Sequence, residues 1–277
     1  MTDTTTAVEA PGEQITFSEP LQHVSAVLDG GVATITLSRP PVNAVDMATM
    51  REIGIAFSEV AVTADVRAVV FTAAGSKAFC AGADLRAFAG EQSVDLASRI
   101  DEGRIARETF GAIRDCPVPV IAAVHGVAVG AGMALVSSCD VIVADATARL
   151  GATEINVGLL GAVSHLRKLV GEYRARQMFY TGELADAQEL LRRGAIAQIV
   201  EPGDLLTAAR QLAGTIAAKS PIGMRLAKES INRTEGLDVE TAYRIEQDYT
   251  ARLRTFTDSR EAAAAFMEKR EPRWTLS

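Results

Sequence analysis

Residues 119–132 read PVIAAVHGVAVGAG, and the fold turns on how this stretch is divided. Val118 to Val136 holds no charged residue and is long enough to cross a bilayer as one helix. Pro119, His125, Gly126, Gly130 and Gly132 break it into short pieces, so it reads as a buried strand, a turn and then a helix.

Outward from there, the same texture recurs. VSAVLD and VATITLS, joined through Gly30 and Gly31, form a hairpin signal. Asp46 precedes Met47, Met50, Ile53, Phe57 and Val60, a capped helix by spacing. RAVVFT (67–72) reads as a strand, AAGSKAFCAGAD as a glycine-bearing loop, and 95–115 as a helix before the strand PVIAAV. VIVAD (141–145) and AQIV (197–200) continue the alternation of strand and helix, an α/β pattern. Past Glu201 the texture is helical, with Ser220-Pro221 and Asp258-Ser259-Arg260-Glu261 as helix starts. The expected organisation is a flexible leader over 1–22, an α/β core over 23–200 and a helical region over 201–277.

Composition narrows the function classes. In 277 residues, 48% are hydrophobic and 23% charged, as in a folded globular protein. Twenty-eight Lys and Arg against 35 Asp and Glu leave a net charge of -7, which disfavours nucleic acid as a partner. Cys80, Cys116 and Cys139 form no disulfide framework, and the first residues lack a secretory signal. The expectation is a cytoplasmic protein with reduced thiols and no membrane insertion.

The commonest catalytic motifs are missing. There is no phosphate loop of the G-x-x-x-x-G-K-[ST] type and no G-x-S-x-G elbow. A dinucleotide fingerprint starting at Gly130 would need its third glycine at Leu135. His23, His125 and His165 are scattered, which gives no metal site. Two places put backbone N–H groups at a turn entering a helix: Ala81-Gly82-Ala83-Asp84-Leu85 and Gly130-Ala131-Gly132-Met133. Two such donors meeting on one carbonyl oxygen would form an oxyanion hole. By spacing alone, tight turns with conformational glycines fit equally well.

In combination, KAFCAGADL (77–85), PVIAAVHGVAVGAG (119–132), SSCDVIVAD (137–145), GATEINVGLLGA (151–162) and AFMEKR (265–270) resemble the enoyl-CoA hydratase/isomerase, or crotonase, superfamily. The resemblance runs in order from about Val24 to Trp274. It implies a crotonase-like α/β spiral of repeated ββα units with a helical C-terminal trimerisation region, assembled as a homotrimer or dimer of trimers. It also implies an acyl-CoA thioester substrate, with coenzyme A present only as part of that substrate and no other cofactor.

Carried over by position, the oxyanion donors are the amides of Ala83 and Ala131. The family's second carboxylate position is Glu154, while its first is Ala134, which moves no proton. One glutamate is the pattern of the isomerase branch; two are used for water addition. Ile155, Val157, Leu159 and Leu160 would give Glu154 an apolar setting. Ser164 and His165 follow in a segment that departs from the family, and either could replace the missing acid or simply begin a helix. Lys77, Ala81 and Arg86 around the first donor loop, with Lys269 near the C-terminus, match positions that bind the CoA portion. Asp84 is expected to brace that loop rather than react. Residues 86–104 are placed to shape the acyl pocket. Three readings stay open: double-bond shift or water addition on an enoyl-CoA; hydrolysis, decarboxylation or C–C cleavage; and a catalytically silent acyl-CoA-binding protein.

Overall fold

The computed structural model of the chain describes residues 12–86 and 96–275. Strands β1 (Glu13–Gln14), β2 (Val24–Asp29) and β3 (Val32–Leu37) form an antiparallel ribbon that turns at Gly30 and Gly31, both with positive φ. Helix α1 (Met47–Val62) follows, and Oδ1 of Asp46 accepts the Thr49 amide at 2.8 Å, the expected N-cap. Its buried residues Met50, Ile53, Phe57 and Val60 lie on one face, as their spacing predicts.

From here the chain repeats one unit three times, each placing a strand in a large sheet, a strand in a small sheet, and then a helix. The first unit is β4 (Ala68–Ala73), β5 (Ala78–Cys80) and α2 (Leu96–Arg114). The second is β6 (Val120–Val124), β7 (Val127–Val129) and α3 (Ala131–Ser137). The third is β8 (Val141–Asp145), β9 (Arg149–Gly151), a 3-10 turn (Glu154–Val157) and α4 (Val163–Val170). Equivalent strands are parallel neighbours: β4, β6 and β8 in one sheet, β5, β7 and β9 in the other. Helix α5 (Glu172–Thr181), β10 (Ala185–Asp186), α6 (Ala187–Arg192) and β11 (Gln198–Val200) complete this body. β6 is buried at every position because both its faces are covered, which explains its unbroken apolar run. This is the α/β spiral of ββα units expected from the resemblance.

The main core lies between the sheets and their helices. Phe57, Phe71 and Phe79 are fully buried, with ring centroids 5.3 Å apart in each edge-to-face pair. Each such pair adds about 0.5–1.5 kcal/mol beyond area burial, and together they tie α1, β4 and β5 into one block. Helix α7 (Leu205–Ala217) closes the outer face of the large sheet, setting Leu205, Ala209, Ala213 and Ala217 against Val70, Ile121 and Val143. Helix α8 (Pro221–Thr234) starts with the Ser220 cap, whose Oγ accepts the Gly223 amide at 3.1 Å. It is anchored by the buried Lys228, 2.7 Å from Asp140 and 3.1 Å from the Val118 carbonyl. Helices α9 (Val239–Leu253) and α10 (Thr257–Glu268) follow, and α9 has no buried residue. No helix among the described residues is long and apolar enough to cross a membrane.

Three sequence expectations change. The leader does not extend to residue 22: β1 pairs with β2, and Ile15, Phe17 and Leu21 pack on the core, giving these apolar side chains a partner. Residues 1–11 lie outside the described residues, as do 87–95 of the segment expected to shape the acyl pocket. Asp258 is not the cap of the last helix. Phe256 holds that position, and the fully buried Asp258 accepts both the amide and hydroxyl of Thr275 at 2.8 and 2.9 Å, tying the chain's end back onto the helix. Last, the 201 boundary marks the end of the strands, but α7 beyond it is part of the core.

Candidate active site

β5, β7 and β9 lie side by side and run parallel, so their C-terminal ends release three loops at one edge of the small sheet. Ala83 follows β5 by three residues, Ala131 follows β7 by two, and Glu154 follows β9 by three. The topology therefore gathers the three expected groups from positions far apart in the chain.

Glycine allows the loops to touch. A Cβ on Gly132 would lie 2.4 Å from the Cys80 carbonyl oxygen, and one on Gly82 would lie 3.0 Å from that of Val129. Gly82 also has φ +88°, a conformation costly for other residues. Around the first loop, Ala81 donates to Val42, Asp84 donates to Val45, and Val45 donates to Gly82. The Ala83 N–H between them has no backbone acceptor among the described residues. Ala131 is the first residue of α3, whose earliest internal bond is Ala134 N–H to Gly130 C=O, so its N–H precedes the helical ladder. Two unspent amides on touching loops, one at a helix N-terminus, suit a developing oxyanion.

Asp84 holds the first loop. Its carboxylate accepts from Arg86 Nε and Nη2 and from Arg39 Nη1, each at 3.0 Å, and Arg39 also reaches Asp46 at 2.9 Å. Hydrogen bonds from Arg86 and then Arg39 hold its carboxyl well below the usual carboxylate range. Asp84 is thus a permanent brace, as expected, while Arg39 had no motif to point it out. Burial pushes the nearby Cys80 thiol up to about 12, which makes it a poor nucleophile.

Glu154 begins the 3-10 turn and is partly buried. Positions for a Cβ on Gly130 and on Gly161 lie 3.1 and 3.2 Å from its Oε1. Its Oε2 is buried with no hydrogen-bond partner among the described residues. Burial raises its pKa, against a smaller opposing effect of its own backbone hydrogen bond. A carboxyl held between Gly130 and Gly161, with one oxygen unpartnered, is poised to exchange protons. The apolar setting does not come from the residues expected to supply it. The turn leaves Ile155, Val157, Leu159 and Leu160 exposed at 41%, 52%, 37% and 85%, and Gly130 and Gly161 are what lie against the carboxyl. Ala134 is fully enclosed in α3 and carries no acid–base group.

The remaining candidates divide between the first donor loop and the surface beyond it. Ser164 and His165 begin α4, and Ser164 makes no capping bond. The His165 ring lies against Phe110 with centroids 4.9 Å apart, in a cavity separate from the Gly130 and Gly161 contacts of Glu154. Burial, then Lys168, lowers the His165 pKa. Lys77 is exposed in the turn before β5. The Ala81 amide is spent on Val42, while the exposed Arg86 gives only its Nε and one Nη2 donor to Asp84. Lys269 is exposed at the end of α10. Among the described residues, no three His, Cys, Asp or Glu side chains are grouped as metal ligands.

The family model for enoyl-CoA hydratase/isomerase matches residues 28–276. The chain belongs to that family. Among hydratase/isomerase relatives, a short-chain-enoyl-CoA hydratase of Clostridium acetobutylicum is 33% identical, over 91% of this chain and 97% of its own length. A (7aS)-7a-methyl-1,5-dioxo-2,3,5,6,7,7a-hexahydro-1H-indene-carboxyl-CoA hydrolase of Rhodococcus jostii is 37% identical, over 90% of this chain and 96% of its own. The enoyl-CoA hydratase structure from Bacillus anthracis superposes with a TM-score of 0.86 at 32% identity, covering 92% of this chain and all of that one. The protein is an acyl-CoA enzyme of the hydratase/isomerase type.

Proposed function

We propose that the protein shifts the double bond of an enoyl-CoA with Glu154 as its single proton carrier. The observation that carries this reading is one partly buried carboxyl whose buried Oε2 is unpartnered, held against Gly130 and Gly161, while Ala134 offers no second acid. Ionised Glu154 takes a proton from C2 of a 3-enoyl thioester, and the electron pair moves onto the thioester oxygen between the Ala83 and Ala131 amides. The same proton then returns from Glu154 to C4, giving the 2-enoyl product with no net gain or loss of atoms. No cofactor is required beyond the CoA of the substrate; Lys77, Arg86 and Lys269 are the candidates for its phosphates, since Arg86 keeps N–H donors that Asp84 does not take. A 3-enoyl-CoA converted to its 2-enoyl isomer, faster than water adds to a 2-enoyl-CoA, is the expected result. Inactivity on both would overturn the assignment.

A second reading has its own support. The indene-carboxyl-CoA hydrolase of Rhodococcus jostii and its namesake of Mycobacterium tuberculosis are 37% and 35% identical to this chain. The same oxyanion site would then stabilise the enolate released when a C–C bond beside a ketone is cleaved by water. A new carboxylate appearing from a 3-oxoacyl-CoA, with no double-bond shift in the first assay, would favour it.

The assembly is a homotrimer or a dimer of trimers in this proposal. Support comes from α9, with no buried residue, and from Val239, Tyr243, Phe266 and Met267, exposed at 60–85% in the single chain. Sedimentation giving a monomer would count against it. The three free cysteines fit a cytoplasmic location.

A further inference from the structure

A neighbouring stretch of chain aims the Ala83 amide. Val45 N–H donates to the Gly82 carbonyl and Asp84 N–H donates to the Val45 carbonyl, each at 2.9 Å, which makes a parallel bridge between Val45 and Ala83. The Gly82 carbonyl therefore faces Val45, and the planar trans peptide it shares with Ala83 turns the Ala83 N–H to the opposite side. Nearer β5, Ala81 N–H donates to the Val42 carbonyl at 3.0 Å. Residues 42 and 45 thus act as a template, and their position sets the direction of the proposed oxyanion donor.

The template lies in the connection between β3 and α1 and belongs to neither sheet, so no strand ladder holds it. Asn43 holds it instead. This residue is 3% exposed and has φ +53°, a left-handed conformation that asparagine tolerates better than most residues. Its backbone N–H donates to the Arg39 carbonyl at 2.9 Å and its Oδ1 accepts the Arg39 N–H at 2.8 Å, which closes the turn from 39 to 43. Its Nδ2 donates to the carbonyls of Ala74 and Ala78, at 2.8 and 3.1 Å. Those two residues flank the turn between β4 and β5, so one side-chain amide uses both its donors to join the template to the root of the strand that carries the donor loop. Arg39, drawn into the same turn, grips Asp84 just beyond Ala83.

We infer that Asn43 is a positioning residue for the oxyanion site: acting through Val42 and Val45, its side-chain amide sets the direction of the Ala83 N–H. This rests on the reading of Ala83 as an oxyanion donor. Glycine or aspartate could adopt the same backbone conformation, but neither offers two side-chain N–H donors to the Ala74 and Ala78 carbonyls.

Asn43→Gly is the test, because it keeps the left-handed turn and removes only the side-chain bonds. The full chain is saturated with octanoyl-CoA labelled with carbon-13 at the thioester carbonyl, and isotope-edited infrared difference spectra are recorded. Donors of an oxyanion site polarise the carbonyl and lower its stretching frequency. The parent lowers it relative to the free ligand, and Asn43→Gly loses about half of that shift or more, as expected when one of two donors is turned away. Turnover follows, with kcat down by about 10- to 100-fold and KM within about twofold of the parent. Leu190→Ala, which removes a fully buried side chain of α6, lowers Tm but keeps the parental carbonyl frequency. Should Asn43→Gly not fold, Asn43→Ser carries the same expectation. A full carbonyl shift in the Asn43 variant, or an equal loss of shift in Leu190→Ala, would overturn the proposal. No shift in the parent would instead overturn the oxyanion reading beneath it.

Discussion

Gly130 stands so close to Glu154 that a methyl group at residue 130 would lie 3.1 Å from the carboxyl Oε1. The peptide leaving Gly130 is the one whose N–H belongs to Ala131, so the proposed proton carrier and one of the two proposed oxyanion donors are set by a single backbone contact. Gly161 closes the other side at 3.2 Å. No side chain is interposed between the carboxyl and these two glycines.

Glu154→Gln should remove the base while keeping its shape. Turnover is expected to fall by about 10² to 10⁴, with acyl-CoA affinity changed little. A variant that turns over at the parental rate would assign the proton transfer to another group.

The same substitution should raise thermal stability at neutral pH. Burial raises the folded-state pKa of Glu154, so folding favours its protonated form and the ionised form costs stability. That favourable contribution is full below the unfolded value and is lost as pH rises through the folded one. The Tm advantage of the glutamine variant should therefore be present at pH 7 and vanish near pH 4. An advantage constant across this range would contradict the linkage.

Activity should rise with pH along an acid limb, because only ionised Glu154 accepts the first proton. The midpoint of kcat/KM in the free enzyme is expected above the ordinary glutamate value of about 4.3. A midpoint at or below that value would mean that burial does not govern the reacting group.

Gly132→Ala tests the contact between the donor loops. Its Cβ would meet the Cys80 carbonyl at 2.4 Å, where only backbone can yield, so the loops must part. Losing one oxyanion donor costs about 2.7–4 kcal/mol, or roughly 10² to 10³ in kcat. Gly214→Ala is the control: it lies in α7 with nothing within 4 Å and should gain about 0.5–1 kcal/mol of stability without loss of turnover. Similar kcat values for both variants would remove the argument from close approach.

Asp84→Asn should loosen the first loop by weakening its bonds to Arg39 and Arg86. A misplaced Ala83 amide is expected to lower kcat by about 10- to 100-fold. Because hydrogen bonds from Arg86 and Arg39 depress the Asp84 pKa, its stabilising contribution is present above the unfolded value and lost as pH falls through the folded one. The stability gap between parent and variant should accordingly narrow in acid, and a gap that widened there would argue against the brace.

Much of the architecture was legible because its signals are local. The Gly30-Gly31 turn, the Asp46 and Ser220 caps and the breaks around PVIAAVHGVAVGAG each depend on a few adjacent residues, and each appears where expected. Asp258 misled because its capping spacing was genuine, while burial against Thr275 offered its carboxylate other partners. Ile155 and Val157 misled for a related reason: adjacency in the chain does not say which way a turn will face.

By itself, the sequence determined the kinds of group available: amides at glycine-bearing turns, one glutamate without a companion at Ala134, and thiols far apart. Which groups meet was decided by the tertiary structure, because Ala83, Ala131 and Glu154 converge only when β5, β7 and β9 pair in parallel. The same pairing sets the burial that raises the Glu154 pKa. Desolvation and charge depend on everything within a few ångströms, whatever its distance along the chain, and that neighbourhood exists only once the chain has folded.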